Sequence, residues 1–527
     1  MEHAEDKDTL AVAVAVDDQK SNKAGVKTKI YSDTQHEQTL VEAFTAFPVA
    51  NFWCLYMFFI CILWGYDGLS GAAVISMTAF RETYGYVYEG GYVISAAWQL
   101  GFTGISFVGL VFGGATAGLL VKRYGRRVVI SSAYILTVGG VFLQFFGNTP
   151  PQFLGGKLLT GIPLGIFTTV APTYASEVAP FRLRGAITAG TNFSIALGQL
   201  VAQGVMRQTQ LINGPRSYQI LFSVQWGFAA LGLLVLPFLP ESPFLLVSQN
   251  KIDAARKNMT RLYGAGYDVD TALANIQTAL HEQQQESQNQ GTMLECFSCQ
   301  NIKRTLCSTM MFFIQNATGQ SWVSGYMTYF MELGGLPATK AFDTSVGITG
   351  MMVVGNMFGW VSVEWLGRRG SALYGVMYLA VCLLLIGVFS CVNTSWAIWT
   401  QVVFMALWAF GYQATIGSVA WPIAAENPTS SLRTPTQALT VITNGLSGCI
   451  WGFALPYAVN PDEGNLGGKI AFVFGATLVI AAVWIYFMVP ETKGLTYVEI
   501  DELWKTTAPR NWKKTPATNA TASEDRE

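Results

Sequence analysis

The sequence predicts an all-α membrane protein in which twelve transmembrane helices form two pseudo-symmetric six-helix halves. Three observations predict it. The composition is too apolar for a water-solvated body, apolar runs of membrane-crossing length recur along the chain, and a set of charged motifs occurs twice.

Composition sets the class. Of 527 residues, 51% are hydrophobic and only 12% charged, at a mean hydropathy of +0.34. Soluble domains carry about 25% charged residues, so too little polar surface is available here to solvate a body of this size. A net charge of −1 and three histidines leave no basic face for nucleic acid. The eight cysteines sit at 54, 61, 296, 299, 307, 382, 391 and 449, mostly within apolar runs, which is not a disulfide framework. Cys296 and Cys299 have CxxC spacing, but no second pair or nearby histidine completes a metal site. No metal and no cofactor is expected.

The spans follow from length. A hydrocarbon core needs about 20 apolar residues as helix. Such runs lie near 51–70, 95–120, 128–146, 153–175, 186–206 and 219–239, then near 305–331, 346–366, 371–391, 397–423, 436–459 and 469–489. The organisation expected is a polar arm over 1–48, a first half over 49–240, a linker with short helices over 241–304, a second half over 305–490 and a tail over 491–527. The first long apolar run begins only near Phe52, so no cleavable leader is expected.

Basic residues between spans orient the chain. Lys122, Arg123, Arg126, Arg127, Arg182, Arg184, Arg368, Arg369 and Arg433 fall on one side, together with Lys251, Arg256, Lys257, Arg261, Lys303 and Arg304 of the linker. The other side has only Arg81, Arg207, Arg216, Lys340 and Lys469. The basic side is the cytoplasmic one, so both termini and the linker are expected in the cytosol. The sequon Asn393-Thr394-Ser395 falls outside, in a loop short for modification.

The halves share motifs. Gly125-Arg126-Arg127 recurs as Gly367-Arg368-Arg369, Glu177 and Arg184 recur at the same spacing as Glu426 and Arg433, and Pro240-Glu241-Ser242 recurs as Pro490-Glu491-Thr492. Parallel six-helix repeats with a substrate site between them are a transporter construction. Carboxylates and guanidiniums at these helix ends are expected to pair across the seam between the halves while the cytoplasmic side is closed. The gating network so expected comprises Arg123, Arg126, Glu177, Arg184, Glu241, Glu364, Arg368, Glu426, Arg433 and Glu491. The bland alternative is that such arginines merely anchor the helices at the headgroups; a Glu-to-Arg motif placed twice weighs against it.

The ordered motifs resemble the sugar-porter branch of the major facilitator superfamily over about residues 50 to 505. The residues carrying the resemblance are Gly65-Tyr66-Asp67, Gly118-x3-Lys122-Arg123-x-Gly125-Arg126-Arg127, Glu177-x-x-Pro180-x-x-Leu183-Arg184-Gly185 and Pro240-Glu241-Ser242-Pro243. The second half adds Glu364-x-x-Gly367-Arg368-Arg369, Glu426-x-Pro428 with Leu432-Arg433, and Pro490-Glu491-Thr492-Lys493-Gly494. Gly325-Tyr326-Met327-Thr328-Tyr329-Phe330 and Lys157-x3-Gly161-Ile162-Pro163-x-Gly165 look more like the fungal maltose/α-glucoside permease group than like hexose facilitators. The chain departs from that group at Trp64 and Leu110, where those permeases favour carboxylates, and at Lys122, where the family has an acidic residue.

The resemblance implies the major facilitator fold, a plasma-membrane location, and a sugar and protons as partners, with a monomer sufficient. Asp67 lies in an apolar helix, where an ionised carboxylate costs about 3 kcal/mol unless paired or protonated. In proton-coupled sugar porters an aspartate in this motif carries the proton, partnered by a base on the fourth span, which the resemblance places at Lys157. The structural alternative is a static pair locking two helices.

Sugars need amides and aromatic faces. Asn192 and Gln199 lie seven apart on one face of the fifth span, Gln315, Asn316, Ser321 and Trp322 lie on the seventh, Trp421 on the tenth, and Asn444 on the eleventh at a position where sugar porters carry an amide. For any one of them an interhelical hydrogen bond is the alternative. The glycines from Gly109 to Gly118 fit close helix packing rather than phosphate cradling. No G-x-S-x-G, HExxH or GK[ST] motif points to catalysis or nucleotide use. The expected function is secondary transport of a sugar, an α-glucoside such as maltose or a hexose, with proton symport. The departures at Trp64 and Leu110 keep open another polyhydroxylated or secondary metabolite on the same scaffold, and a non-transporting sugar sensor is the remaining alternative.

Overall fold

The computed structural model describes residues 44–506, apart from 181–182, 265–266, 289–291, 393, 430–431 and 496. The sequon's Asn393, most of the N-terminal arm and the end of the tail therefore lie outside the described residues. The first half is built from Pro48–Ala73, Ala96–Tyr124, Arg126–Phe146, Pro150–Val178, Arg184–Thr209 and Arg216–Val235, hereafter spans one to six. Prolines at the first helical positions start spans one and four, where the missing N–H costs nothing.

The second half departs from six unbroken rods. Span seven is two helices, Ile302–Ala317 and Gln320–Leu333, parted at Gly319 (φ 84°). Spans eight and nine run as 338–366 and 368–390, divided at Gly367, whose φ is 75°. Span ten breaks at Thr415 (φ −128°, ψ −89°) into Ser395–Ala414 and Ile416–Glu426, and Arg433–Val459 and Ile470–Met488 complete the set as spans eleven and twelve. The sequence reading treated spans seven and ten as continuous because their apolar runs are continuous. Hydropathy does not register a single glycine with positive φ or one non-helical threonine.

Glycine sets how closely the helices approach. A methyl group at Gly65 would lie 2.1 Å from the Ile195 carbonyl oxygen, and one at Gly198 would lie 2.1 Å from that of Ile62, so spans one and five meet backbone to backbone. Gly113 and Gly165 hold spans two and four together in the same way, at 2.0 Å from the Ile162 and Leu110 carbonyls.

A short helix, Thr78–Tyr84, and a two-stranded hairpin pairing Tyr86 with Val93 and Tyr88 with Gly91 connect spans one and two. At the opposite, basic end the helices Pro243–Ser248, Ile252–Tyr263 and Val269–Gln288 enclose a small core of Leu246, Ala255, Met259 and Leu273. Tyr263 reaches from there to the Val178 carbonyl at 2.9 Å, and Phe47 packs edge-on against it at 5.5 Å.

Candidate transport site

Two features bring polar groups to the middle of this apolar bundle: the breaks in spans seven and ten, and isolated amides on unbroken helices. Broken helices in a membrane are tolerated where they line a cavity or are buried in protein, and transporter sites form around them.

At the break in span seven, Asn316 donates through Nδ2 to the Asn444 Oδ1 at 2.7 Å and to the Ser447 Oγ at 2.9 Å, both on span eleven. Beyond the breaks, the Tyr412 hydroxyl on span ten donates to the Gln320 Oε1 on span seven at 2.8 Å. Next to it Gln413 accepts on Oε1 from Asn192 of span five and from Asn356 of span eight, each at 3.4 Å. Asn192 belongs to the first half and Gln413 to the second, so this bond crosses the seam. Gln199, Gln315 and Ser321 are half-buried on the same helices.

The two tryptophans divide. Trp421 is 56% exposed, with its ring edge-on to Phe312 at 4.7 Å. Trp322 is fully buried between Phe330 and Phe474, at 5.5 and 6.4 Å. It sits in the core of the second half rather than at an accessible wall, because its turn of span seven faces span twelve. The sequence reading of Trp322 as an aromatic wall is corrected accordingly.

A second polar group lies wholly within the first half. The Lys157 Nζ stands 3.4 Å from both oxygens of the Asp67 carboxylate, and the side chains are 4% and 2% exposed. Gln225 of span six completes it by donating through Nε2 to Asp67 Oδ1 at 3.0 Å. Room for the ammonium comes from Gly71, where a methyl group would lie 2.3 Å from Lys157 Nζ. Burying two opposite charges together offsets part of the desolvation that each would suffer alone.

At the basic end the duplicated motifs build the same cluster twice. In the first half Arg126 pairs with Glu177 at 2.5 Å, Ser242 donates to the other Glu177 oxygen, and Glu241 accepts from the Arg126 backbone N–H at 3.0 Å. In the second half Arg368 pairs with Glu426 at 3.1 Å, Thr492 donates to Glu426 at 2.5 Å, and Glu491 accepts from the backbone N–H groups of Arg368 and Arg369 at 2.8 and 3.1 Å. Each carboxylate of the Pro-Glu motifs caps the start of span three or nine, where unpaired N–H groups favour an anion. Glycine is required at both turns. Gly125 (φ 82°) and Gly367 (φ 75°) adopt left-handed backbone, and a methyl group would meet the capping carboxylate at 2.7 and 2.5 Å.

These pairings lie within the halves, in a structure whose inter-half contacts are at the other end. Arg126–Glu177 and Arg368–Glu426 each join helices of one half, not the two halves across the seam. The reason is proximity: the start of span three and the end of span four are neighbours within a half, and so are their counterparts. Arg123 lies over the ring of Tyr124 at 5.4 Å instead of joining a cluster, and Glu364 is exposed outside it. Arg433 opens span eleven, and the Arg184 side chain lies outside the described residues.

Contacts between the halves gather instead at the end away from the basic motifs. Arg81 donates to Glu332 at 3.0 Å and to the carbonyls of Ile75 and Ser76 at 3.0 and 3.1 Å. Gln99 donates to the Asn460 Oδ1 at 2.8 Å and accepts from the Tyr326 hydroxyl at 3.2 Å. Nearby, Gln203 donates to Thr328 at 3.3 Å and Arg207 pairs with Asp343 at 2.5 Å. Tyr86 donates to Asp462, and that bond raises the phenol to about 12.

The family described as "Sugar (and other) transporter" matches residues 53–504. The chain belongs to this family. It is 33% identical to the MFS transporter fmqE of Aspergillus fumigatus over 87% of each chain. It is 30% identical to the general alpha-glucoside permease of Saccharomyces cerevisiae over 90% of this chain and 78% of that one. Among solved structures, the inward-open xylose transporter XylE of E. coli superposes with a TM-score of 0.70 at 22% identity, covering 86% of this chain and 99% of that one. That likeness gives the fold: this transporter has the all-α major facilitator architecture of two six-helix halves.

Gln225, Gln413 and Asn356 were missed in the sequence of this transporter. Each is a lone amide in an apolar run, the same signal that singled out Asn192 and Asn316. Applied to spans six, eight and ten, it would have found them.

Proposed function

We propose that this transporter moves a sugar, foremost an α-glucoside such as maltose, across the plasma membrane by alternating access in symport with protons. The observation that carries the reading is the buried Asp67–Lys157 pair, 3.4 Å apart within one half, in a bundle whose seam is lined by amides of the other spans. An intramembrane carboxylate beside a lysine can take up and release a proton as its surroundings change, since lysine yields its charge more readily than arginine. Amides both donate and accept, which is the chemistry that sugar hydroxyls require.

In this reading the basic end faces the cytosol with both termini, and the end held by Arg81–Glu332 and Gln99–Asn460 is the outer side, closed in this structure. The Glu177 and Glu426 clusters make each half a rigid body, so that the halves rock about the seam rather than deform. Substrate hydroxyls would replace bonds that Asn192, Gln413, Asn316 and Asn444 now make to each other. A monomer carries every group involved. The relatives named alpha-glucoside and maltose permeases support the sugar class, and the XylE structure described as a proton:xylose symporter supports the fold on which coupling is proposed. One observation favours a second substrate class, another polyhydroxylated or secondary metabolite: Trp64 and Leu110 stand where the α-glucoside permeases favour carboxylates.

Uptake in a transporter-null yeast tests this, with wild type set against Asp67→Asn over a sugar panel while external pH is recorded. Alkalinisation on adding maltose, lost in the variant, is the expected result. Sugar uptake indifferent to pH would leave facilitation, and no sugar uptake by protein at the cell surface would favour the second class.

A further inference from the structure

The Asp67–Lys157 site holds a third group whose chemistry is only half used. Gln225 is fully buried, and its Nε2 lies 3.0 Å from Asp67 Oδ1. Its Oε1 is also buried and has no hydrogen-bond partner. A buried acceptor without a partner is costly and calls for an explanation. The orientation is fixed by charge, because a carboxylate only accepts and the amide must present its N–H side to it.

We propose that Gln225 is a positioning residue for proton coupling that serves both protonation states of Asp67. With Asp67 ionised, Nε2 donates to it and helps Lys157 hold the charge. When Asp67 takes a proton from the open side, one oxygen becomes an O–H donor. Rotation of the carboxamide about its last bond then presents Oε1 as the acceptor that this O–H needs, and Lys157 loses its ionic partner. No bond other than the O–H forms, and the proton leaves by the reverse step on the other side. The proposal rests on the coupling reading above.

The surroundings leave few rivals for this role. On span one Tyr66 is committed to the Leu221 carbonyl at 2.7 Å, and Ser70 to the backbone of Asp67 at 3.2 Å. Span four contributes Lys157, the one charged group seen to pair with Asp67 among the described residues. Span five passes Gly198 and Ile195 along this face of span one, and span seven places Gly325 against Ala72, none of them titratable.

The test reads the proton itself and needs no sugar. Infrared difference titration of the purified full-length protein follows the protonated-carboxylic-acid band that Asp67→Asn removes. In Gln225→Leu both the acid band and the carboxylate stretch of Asp67 are expected to shift, because the protonated form loses its acceptor and the ionised form loses its donor. Gln225→Asn, which keeps the amide one methylene short, should fall between the two and serves if the leucine variant does not fold. An unmoved acid band and carboxylate stretch in a folded Gln225 variant would overturn the role of Gln225 alone. If Asp67→Asn removes no titrating band, the coupling reading fails and this proposal with it.

Discussion

Arg126 and Glu177 meet at 2.5 Å inside the first half, and their counterparts Arg368 and Glu426 meet at 3.1 Å inside the second. The duplicated charges thus make two copies of one fastening. Each ties the start of one helix to the ends of two others, with a carboxylate from the Pro-Glu motif closing it. In the proposed transport cycle such fastenings let a half move as a unit and leave the changes to the seam.

The caps give the first prediction. Glu491 receives two backbone N–H groups from span nine, whereas Glu241 receives one from span three. Removing a capping side chain costs about 1 kcal/mol and up to 2. Glu491→Ala should therefore lower the thermal midpoint of the purified protein more than Glu241→Ala does. Equal midpoints in the two variants would show that the caps are not what holds these helix ends.

Glycine packing gives the second. Gly113→Ala and Gly198→Ala would push a methyl group to 2.0 and 2.1 Å from a neighbouring backbone carbonyl. Backbone cannot yield as a side chain does, so the cost should exceed the roughly 1–3 kcal/mol of ordinary overpacking. Gly118→Ala meets nothing within 4 Å and should gain up to about 1 kcal/mol from helix propensity. Fluorescence-detected gel filtration after mild heating distinguishes them: the first two should lose their monodisperse peak and the third should keep it.

How much of this was written in the chain differs by level. Twelve crossings and the repeat of the Gly125 and Gly367 motifs were legible, because membrane length and a local motif are properties of contiguous residues. The breaks at Gly319 and Thr415 were not, since their flanks stay apolar on both sides. Asp67 and Lys157 were found together through the family resemblance. Arg81 stood in the sequence as a scattered basic residue, for its partner Glu332 lies 251 residues away and nothing local connects them. Gln225 and Gln413 carried a visible signal that went unread. Trp322 was misplaced because helical spacing tells which residues share a face but not which neighbour that face meets.

Arg81 supplies the third prediction. Both side chains of its pair with Glu332 are 13% exposed, and the guanidinium also lies 5.3 Å from the centre of the Tyr329 ring. Removing one partner of a largely buried pair costs up to 3–5 kcal/mol when burial is complete; with water at its edge, about 1–2 kcal/mol is reasonable here. Since the pair joins the halves only while this end is closed, Arg81→Ala should shift the population toward opening there by about tenfold. Labelling of a cysteine placed at Ala72, which meets Gly325 across the seam, by an impermeant thiol reagent, counted by mass against the native cysteines, should accelerate in the Arg81→Ala background. An unchanged rate would remove the pair from the closing mechanism.

The last prediction separates two tryptophans that the sequence could not. Trp322 is fully enclosed by Phe330 and Phe474, so truncation leaves a large cavity in the second half. Phe or Trp to Ala changes in cores cost about 3–5 kcal/mol, and Trp322→Ala should reduce the yield of folded protein at every substrate concentration. Trp421 keeps 56% of its surface free and touches Phe312 with one edge. Trp421→Ala should leave the thermal midpoint within a few degrees of wild type. If its free face meets the sugar, uptake by that variant should show a higher KM at nearly unchanged kcat, because a stacking contact made alike to bound substrate and transition state is what has been removed. Paired thermal and uptake measurements on the two variants decide it: a KM effect in folded Trp322→Ala, or a collapse of folded protein in Trp421→Ala, would reverse the assignment.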